Sequence, residues 1–413
     1  MSNKQKLRLG YLVSQYPALS HTFVLREIIE LRNQGFEIEV ASINSPDRRP
    51  TAFTSVECEE SARTFYVKNA GSIRAALAVL RLFAVHPLRF FRGVTASVGL
   101  ARLDAAKLVL NLCYLSEAAL LTRWMKQKHL RHLHVHFATP AATVALLVSH
   151  IAPVSTSLTV HGPDEFYDVS RYFLRQKIAA ARFLCAIGQF ARSQLMALAP
   201  PEHWQKFEVT PLGVDLDCFQ AAADGPLSSA FEVLCVGRLV PVKGHRVLLQ
   251  ALAHLRAENR SITLRLVGDG PERASLEREV EQLGLTGCVC FEGGVNQDRI
   301  RDFYCSADAL ALPSFAEGIP IVLMEAMAMK IACVATAING IPELIRHEKD
   351  GLLVAPSDVN ALALALARLM DDEKLRRDLG ESAHRRIVEH YNLRPNVLAL
   401  ADVFRRRLRE EMA

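Results

Sequence analysis

What the 413-residue sequence lacks narrows its class first. No apolar run reaches the roughly 18–20 residues that cross a bilayer, so no membrane-spanning helix is expected. The opening MSNKQKLRLGYLVSQYP has neither the apolar core nor the small-residue cleavage site of a secretory leader. Nine cysteines are scattered, with no C-x-x-C pair. A reduced, cytosolic chain without a disulfide framework is expected. No G-x-G-x-x-G follows the first apolar strand, which argues against a dinucleotide oxidoreductase. No sequence repeat, low-complexity tract or nucleic-acid-binding motif is present, so the basic residues do not read as a nucleic-acid surface.

What remains is a globular composition, with 50% hydrophobic and 23% charged residues. The length exceeds one ordinary core, so two domains are expected. The net charge of +5 is unevenly spread. Residues 1–205 hold 24 Lys+Arg against 14 Asp+Glu, or +10, which leaves −5 for the rest. Within 61–131, twelve cations (Arg63, Lys68, Arg74, Arg81, Arg89, Arg92, Arg102, Lys107, Arg123, Lys126, Lys128 and Arg131) face only Asp104 and Glu117. Around 72–131 the arginines mix with Phe and Leu in amphipathic, partly helical stretches. That pattern suits an interfacial helix on anionic lipid, or a packed helix with a solvated basic face.

Short apolar strands alternate with 10–15-residue helical patterns in both halves. This predicts an α/β fold with two doubly wound, parallel-sheet, Rossmann-like domains. The expected division is 1–211, a linker at 212–230 rich in Gly, Pro, Ala and Asp, a second domain at 231–393, and a basic final helix at 394–413.

Ligands of open α/β sheets sit beyond the carboxyl ends of strands. In VGRLVPVKGH, Arg238 and Lys243 occupy such a loop and suit a diphosphate, unless both are solvated loop cations. In LVGDGPE, Gly268 and Gly270 would let backbone approach a ligand. In EGIPIVLMEAMA, free N–H groups around Gly318, Ile319 and Ile321 would point at an anion at a helix start. Glu325, about one and a half turns in, could bind vicinal hydroxyls such as a ribose, or pair with a core arginine. Glu317 could reach sugar hydroxyls or the loop cations, or simply cap the helix. In the empty protein, water or Arg238 and Lys243 are expected to partner Glu325. In the first half, His161 ends a strand (VHGPDEF), and Ser20 with Thr22 opens a helix (SQYPALSHTF). Each has a plain structural reading beside a ligand-binding one. His132, His134 and His136 share one strand face like half a metal site, but without a matching carboxylate they read as a polar surface. Asp215 and Asp217 form a D-x-D in the linker, where a metal role is not expected.

The segments GRLVPVKGH, LVGDGPER, LPSFAEGIPIVLMEAMA, GIPELI and GLLV strongly resemble the donor-binding domain of glycosyltransferase family 4, from about Pro211 to Asn396. YPALSHTFVLREIIELRNQG, HVHFATPAATVALLVS and the strand ending in His161 resemble the exopolysaccharide branch of that family, which includes colanic-acid-type transferases. The resemblance implies a GT-B fold, its two domains facing across a cleft and its last helix crossing back to the first. It implies a retaining, metal-independent hexosyltransferase that takes a UDP- or GDP-sugar and needs no cofactor. Arg238 and Lys243 would hold the diphosphate, Glu325 the ribose, and Glu317 with the amides of Gly318, Ile319 and Ile321 the sugar or phosphate. His161 would lie beside the donor sugar and the reacting centre, and the loop at Ser20 and His21 over the phosphates. The expected acceptor is a lipid-linked or growing saccharide, met at the inner face of an anionic membrane. A sugar-nucleotide epimerase and a non-catalytic nucleotide-sugar-binding subunit are the alternatives.

Overall fold

The computed structural model describes residues 7–102, 104–220 and 230–409. It divides into two compact units, residues 1–210 with 397–413, and residues 211–396. Residues 221–229 of the expected linker lie outside the described residues. Asp217 of the D-x-D is paired with Arg394 at 2.6 Å.

Among its described residues unit 1 holds seven parallel strands: β1 (Arg8–Gln15), β2 (Glu37–Asn44), β3 (Phe65–Tyr66), β4 (His132–His136), β5 (Ser155–Val160), β6 (Phe183–Ala186) and β7 (Phe207–Val209). Their order is β3-β2-β1-β4-β5-β6-β7, so the winding reverses between β1 and β4. Among its described residues unit 2 holds six: β8 (Phe231–Val236), β9 (Ile262–Val267), β10 (Val289–Gly293), β11 (Ala309–Leu312), β12 (Ala332–Thr336) and β13 (Leu352–Val354). Their order, β10-β9-β8-β11-β12-β13, reverses between β8 and β11. Helices join the strands of both sheets, and most strand residues are apolar and buried, as parallel strands covered on both faces must be.

The centre of unit 1 departs from that rule, and here the expectation of a polar surface is corrected. His132, His134 and His136 are all buried. Strand β5 supplies their partners, because its Ser155, Ser157 and Thr159 stand opposite the three histidines in register. His132 contacts the hydroxyls of Ser155 and Ser157 at 2.8 and 2.7 Å. His134 contacts those of Ser157 and Thr159 at 2.7 and 2.9 Å. The matching carboxylate exists too, since Glu27 lies 3.1 Å from His136. Polar groups this deep are tolerated because they are hydrogen-bonded. Phe404, on the helix Leu393–Arg409, closes the ladder edge-on to His134 at 5.0 Å. Arg407 anchors that helix through Glu208 at 2.8 Å.

The basic stretch forms three helices, Ser72–Val85, Pro87–Ala101 and Ala105–Gln127. Buried Leu82, Leu100, Leu115, Leu121 and Trp124 join the core of unit 1. The opposite faces leave Ile73, Leu77, Leu80, Phe83, Leu88, Phe91 and Val109 exposed, Leu88 by 79%. Arg74, Arg81 and Arg92 are exposed on the same helices, and Arg89 is half-buried. Ala105–Gln127 is 23 residues long and contains an 18-residue window of mean hydropathy 1.3, enough by length and composition alone to cross a membrane. The expectation of no membrane-spanning helix rested on unbroken apolar runs, and Lys107, Asn111 and Glu117 interrupt this one. One side of it packs into unit 1.

Candidate functional site

In unit 2 the expected residues collect beyond the carboxyl ends of β8 and β11, where the winding reverses. Arg238, two residues past β8, is exposed, and its side chain has no hydrogen bond or ion pair among the described residues. Lys243 Nζ donates to Glu317 Oε1 at 2.5 Å, and Ser314 Oγ donates to the same oxygen at 2.7 Å. Ser314 is in turn held by Thr336, whose hydroxyl donates to its carbonyl at 2.6 Å. The chain thus presents one exposed guanidinium and one lysine already neutralised by a glutamate.

The helix Ile321–Ala328 begins behind Pro320, which sits in an extended conformation before the first turn. The N–H groups of Gly318, Ile319 and Ile321 have no hydrogen-bond partner among the described residues. With the helix dipole behind them they form a receptor for an anion. Glu325 lies on the same helix but is only 3% exposed. Its Oε2 accepts from the Tyr304 hydroxyl at 2.9 Å. This corrects the expectation of water, Arg238 or Lys243 as its partner: Lys243 is taken by Glu317, and buried Tyr304 reaches the carboxylate from the helix Gln297–Ser306.

Gly268 has φ +143°, and a Cβ there would stand 1.9 Å from the Gly237 carbonyl oxygen. Close packing of two loops is enough to require glycine at this position, whether or not a ligand approaches. Gly270 is crowded likewise by the Leu239 carbonyl, 2.4 Å from where a Cβ would lie.

In unit 1, His21 follows β1, Phe137 follows β4 and His161 follows β5. The structure brings all three together, with Phe137 centred 4.8 Å from His21 and 4.3 Å from His161. The side chain of Ser20 lies outside the described residues. Phe137 has φ +67°, an unusual conformation for a bulky residue. Burial first, then the neighbouring His136 and His21, hold the His161 imidazole well below the usual histidine range.

The sequence reading missed the residues that hold His161 in place. Glu165 accepts from the backbone N–H groups of His161 and Gly162 at 2.5 and 2.9 Å, and from that of Ala138. Lys177 Nζ donates to the carbonyls of Ala138 and Thr139 at 2.8 and 2.9 Å. Burial raises the Glu165 carboxyl to about 7, and those N–H groups oppose the rise. Burial lowers the Lys177 ammonium to about 7, and Glu165 opposes that fall. The available signal was a lysine within the otherwise apolar KIAA of FLRQKIAAARFL. Glu27, His134 and His136 bring ligand-type atoms within 4.8 Å of one another. Both ring nitrogens of each histidine already face a hydroxyl, an imidazole or Glu27, so the cluster is satisfied as it stands.

Comparison with known proteins fits this geometry. Residues 223–386 match the model of the family "Glycosyl transferases group 1". The chain is 26% identical over 375 residues to WcaL of Escherichia coli (strain K12), named for colanic acid biosynthesis, covering 87% of this chain and 90% of the relative. Sucrose-phosphate synthase from Thermosynechococcus elongatus superposes with a TM-score of 0.75 at 20% identity, covering 97% of this chain and 99% of that one. Anabaena Alr3699/HepE, solved in complex with UDP-glucose, superposes with a TM-score of 0.73 at 16% identity, covering 96% and 99%. The fold is GT-B, and the segment 223–386 belongs to the group 1 glycosyl transferases.

Proposed function

We propose that this glycosyltransferase moves a hexose from a UDP- or GDP-sugar onto a lipid-linked or growing saccharide, with retention of configuration and without a metal, in exopolysaccharide biosynthesis. The observation that carries this reading is the open cation and amide group at the winding reversal of unit 2: Arg238, Lys243 and the N–H groups of Gly318, Ile319 and Ile321. The naming of WcaL for colanic acid biosynthesis and the UDP-glucose held by HepE support the pathway and donor class.

In this reading Arg238 grips the diphosphate, and Lys243 contributes a point charge while holding Glu317 for the donor sugar. Glu325 binds the ribose hydroxyls, exchanging its Tyr304 partner for them or sharing it. Fixed positive charge at the leaving diphosphate is the main catalytic term, so the chemistry needs no added cation. His161 serves the sugar at the reacting centre, and a departing phosphate oxygen takes the acceptor's proton.

The deciding assay offers purified protein UDP-, GDP- and ADP-sugars with membrane lipid extract and follows label transfer. Transfer from one donor is the expected result. Release of an altered sugar without acceptor would point to an epimerase, and binding without turnover to a nucleotide-sugar-binding subunit. Either outcome overturns the transferase reading.

The acceptor is expected at the inner membrane face, because exposed Leu80, Phe83, Leu88 and Phe91 interleave with exposed Arg81 and Arg92 and half-buried Arg89. Liposome flotation tests this. Binding should require anionic lipid, weaken with salt and fall in Arg89→Glu; binding indifferent to lipid charge contradicts it.

A further inference from the structure

A file of hydrogen-bonding groups runs through unit 1 to His161. The Tyr11 hydroxyl donates to Glu27 Oε1 at 2.9 Å. The same oxygen lies 3.1 Å from His136 Nε2. His136 Nδ1 lies 3.0 Å from His161 Nε2. Every member of the file is buried.

Proton counting gives the file a direction. An ionised carboxylate only accepts, so His136 must carry a proton on Nε2 and donate it to Glu27. A neutral His136 then has a bare Nδ1, which can only accept. His161 must therefore carry its proton on Nε2. Its one side-chain hydrogen bond among the described residues is made by Nε2, which leaves Nδ1 for a ligand. The reverse polarity would need a protonated Glu27 or a doubly protonated His136.

The surroundings hold the ring as well as the proton. Phe137 and Phe23 lie against His161, with ring centres at 4.3 and 5.0 Å. Glu165 holds the His161 backbone N–H. The Tyr11 hydroxyl is kept protonated, and so a donor, by burial and by the charge of Glu27.

We propose that Glu27 and His136 are positioning residues that fix His161 with its proton on Nε2, so that Nδ1 meets the donor sugar as a hydrogen-bond acceptor. The functional half of this proposal rests on the reading of His161 given above.

The test uses the full chain labelled with ¹⁵N-histidine. Two-bond ¹⁵N–¹H spectra report which ring nitrogen carries the proton, and His161→Gln assigns the signal by its loss. In the wild type, His161 should show a protonated Nε2 and a bare Nδ1. His136→Phe keeps a ring but removes the acceptor, so His161 should become a mixture of tautomers. Transfer should then lose kcat by about ten- to a hundredfold, the scale of outer orienting partners, with donor KM unchanged. Glu27→Gln can offer either an oxygen or an NH₂ to His136. It should also mix the tautomers, with a smaller loss of kcat, and it stands in if His136→Phe fails to fold. A wild-type His161 protonated on Nδ1 overturns the proposal. So does an unmixed His161 in the folded variants. Transfer unchanged in His161→Gln instead removes the role of His161 in the reaction, while the tautomer spectra still judge the relay by themselves.

Discussion

The two units build their polar clusters in opposite ways. In unit 2 the functional groups stand on two short segments, Arg238 and Lys243 in one and Glu317 to Ile321 in the other, and the Arg238 side chain and the N–H groups of Gly318, Ile319 and Ile321 have no partner among the described residues. In unit 1 the corresponding groups are buried and come from separate elements. Glu27 lies on the helix Thr22–Asn33, His136 on β4 and His161 after β5, and 109 positions separate Glu27 from His136. An open loop cluster can gain a charged ligand and lose it again at little structural cost. A buried cluster must be satisfied without ligand, because an unmet polar group there costs about 1–3 kcal/mol. The first arrangement suits binding a variable, highly charged leaving group, and the second suits holding one side chain in one state.

The comparison can be broken most sharply in unit 2. Replacing both Arg238 and Lys243 by Ala should lower kcat by about a thousandfold, or about 4 kcal/mol, with the thermal transition little changed. Loss of the transition would show that these cations are structural. Next in size is Gly268→Ala, where φ +143° and the Gly237 carbonyl leave no room for a Cβ. It should destabilise by about 3 kcal/mol in chemical denaturation.

Acid sharpens the contrast from the other side. Burial lowers His132 to about 3 and holds His134 and His161 well below the usual range. Between about 6.5 and 3 the unfolded chain therefore binds protons that the folded chain refuses, so stability falls as pH falls through that window. The expected slope approaches about 1.4 kcal/mol per pH unit for each such histidine. Urea midpoints at pH 7.5, 6.5 and 5.5 measure it, and a flat profile would mean the ladder accepts protons when folded. The smallest expected effect is Glu325→Gln, which should weaken nucleotide binding about tenfold in calorimetry, or about 1.4 kcal/mol. Unchanged affinity would leave Glu325 as a partner of Tyr304 and not of the nucleotide.

What could be read from the sequence follows the same contrast. Strand–helix alternation carried the parallel fold, and the unit 2 residues were visible because short contiguous motifs carry them. The histidine ladder was misread because its explanation lies on another strand. HLHVH looks like a wet surface until STSLTV is set opposite it in register. Tyr304 was missed for the same reason, since nothing near Glu325 in sequence announces a partner 21 positions earlier. Glu165 and Lys177 hold backbone groups of neighbouring loops, and no local spacing reveals such contacts.

Phe404 has a consequence for how the chain comes into being. It belongs to unit 1, yet 186 residues of unit 2 are made between the two parts of that unit. At about 5–20 residues per second, the histidine ladder waits roughly 10–40 s after Thr210 before its covering helix has been synthesised. All of unit 2 is synthesised within that interval. The earlier-made sheet is thus the later one to be finished, with its polar centre uncovered in the nascent protein until the closing ring arrives.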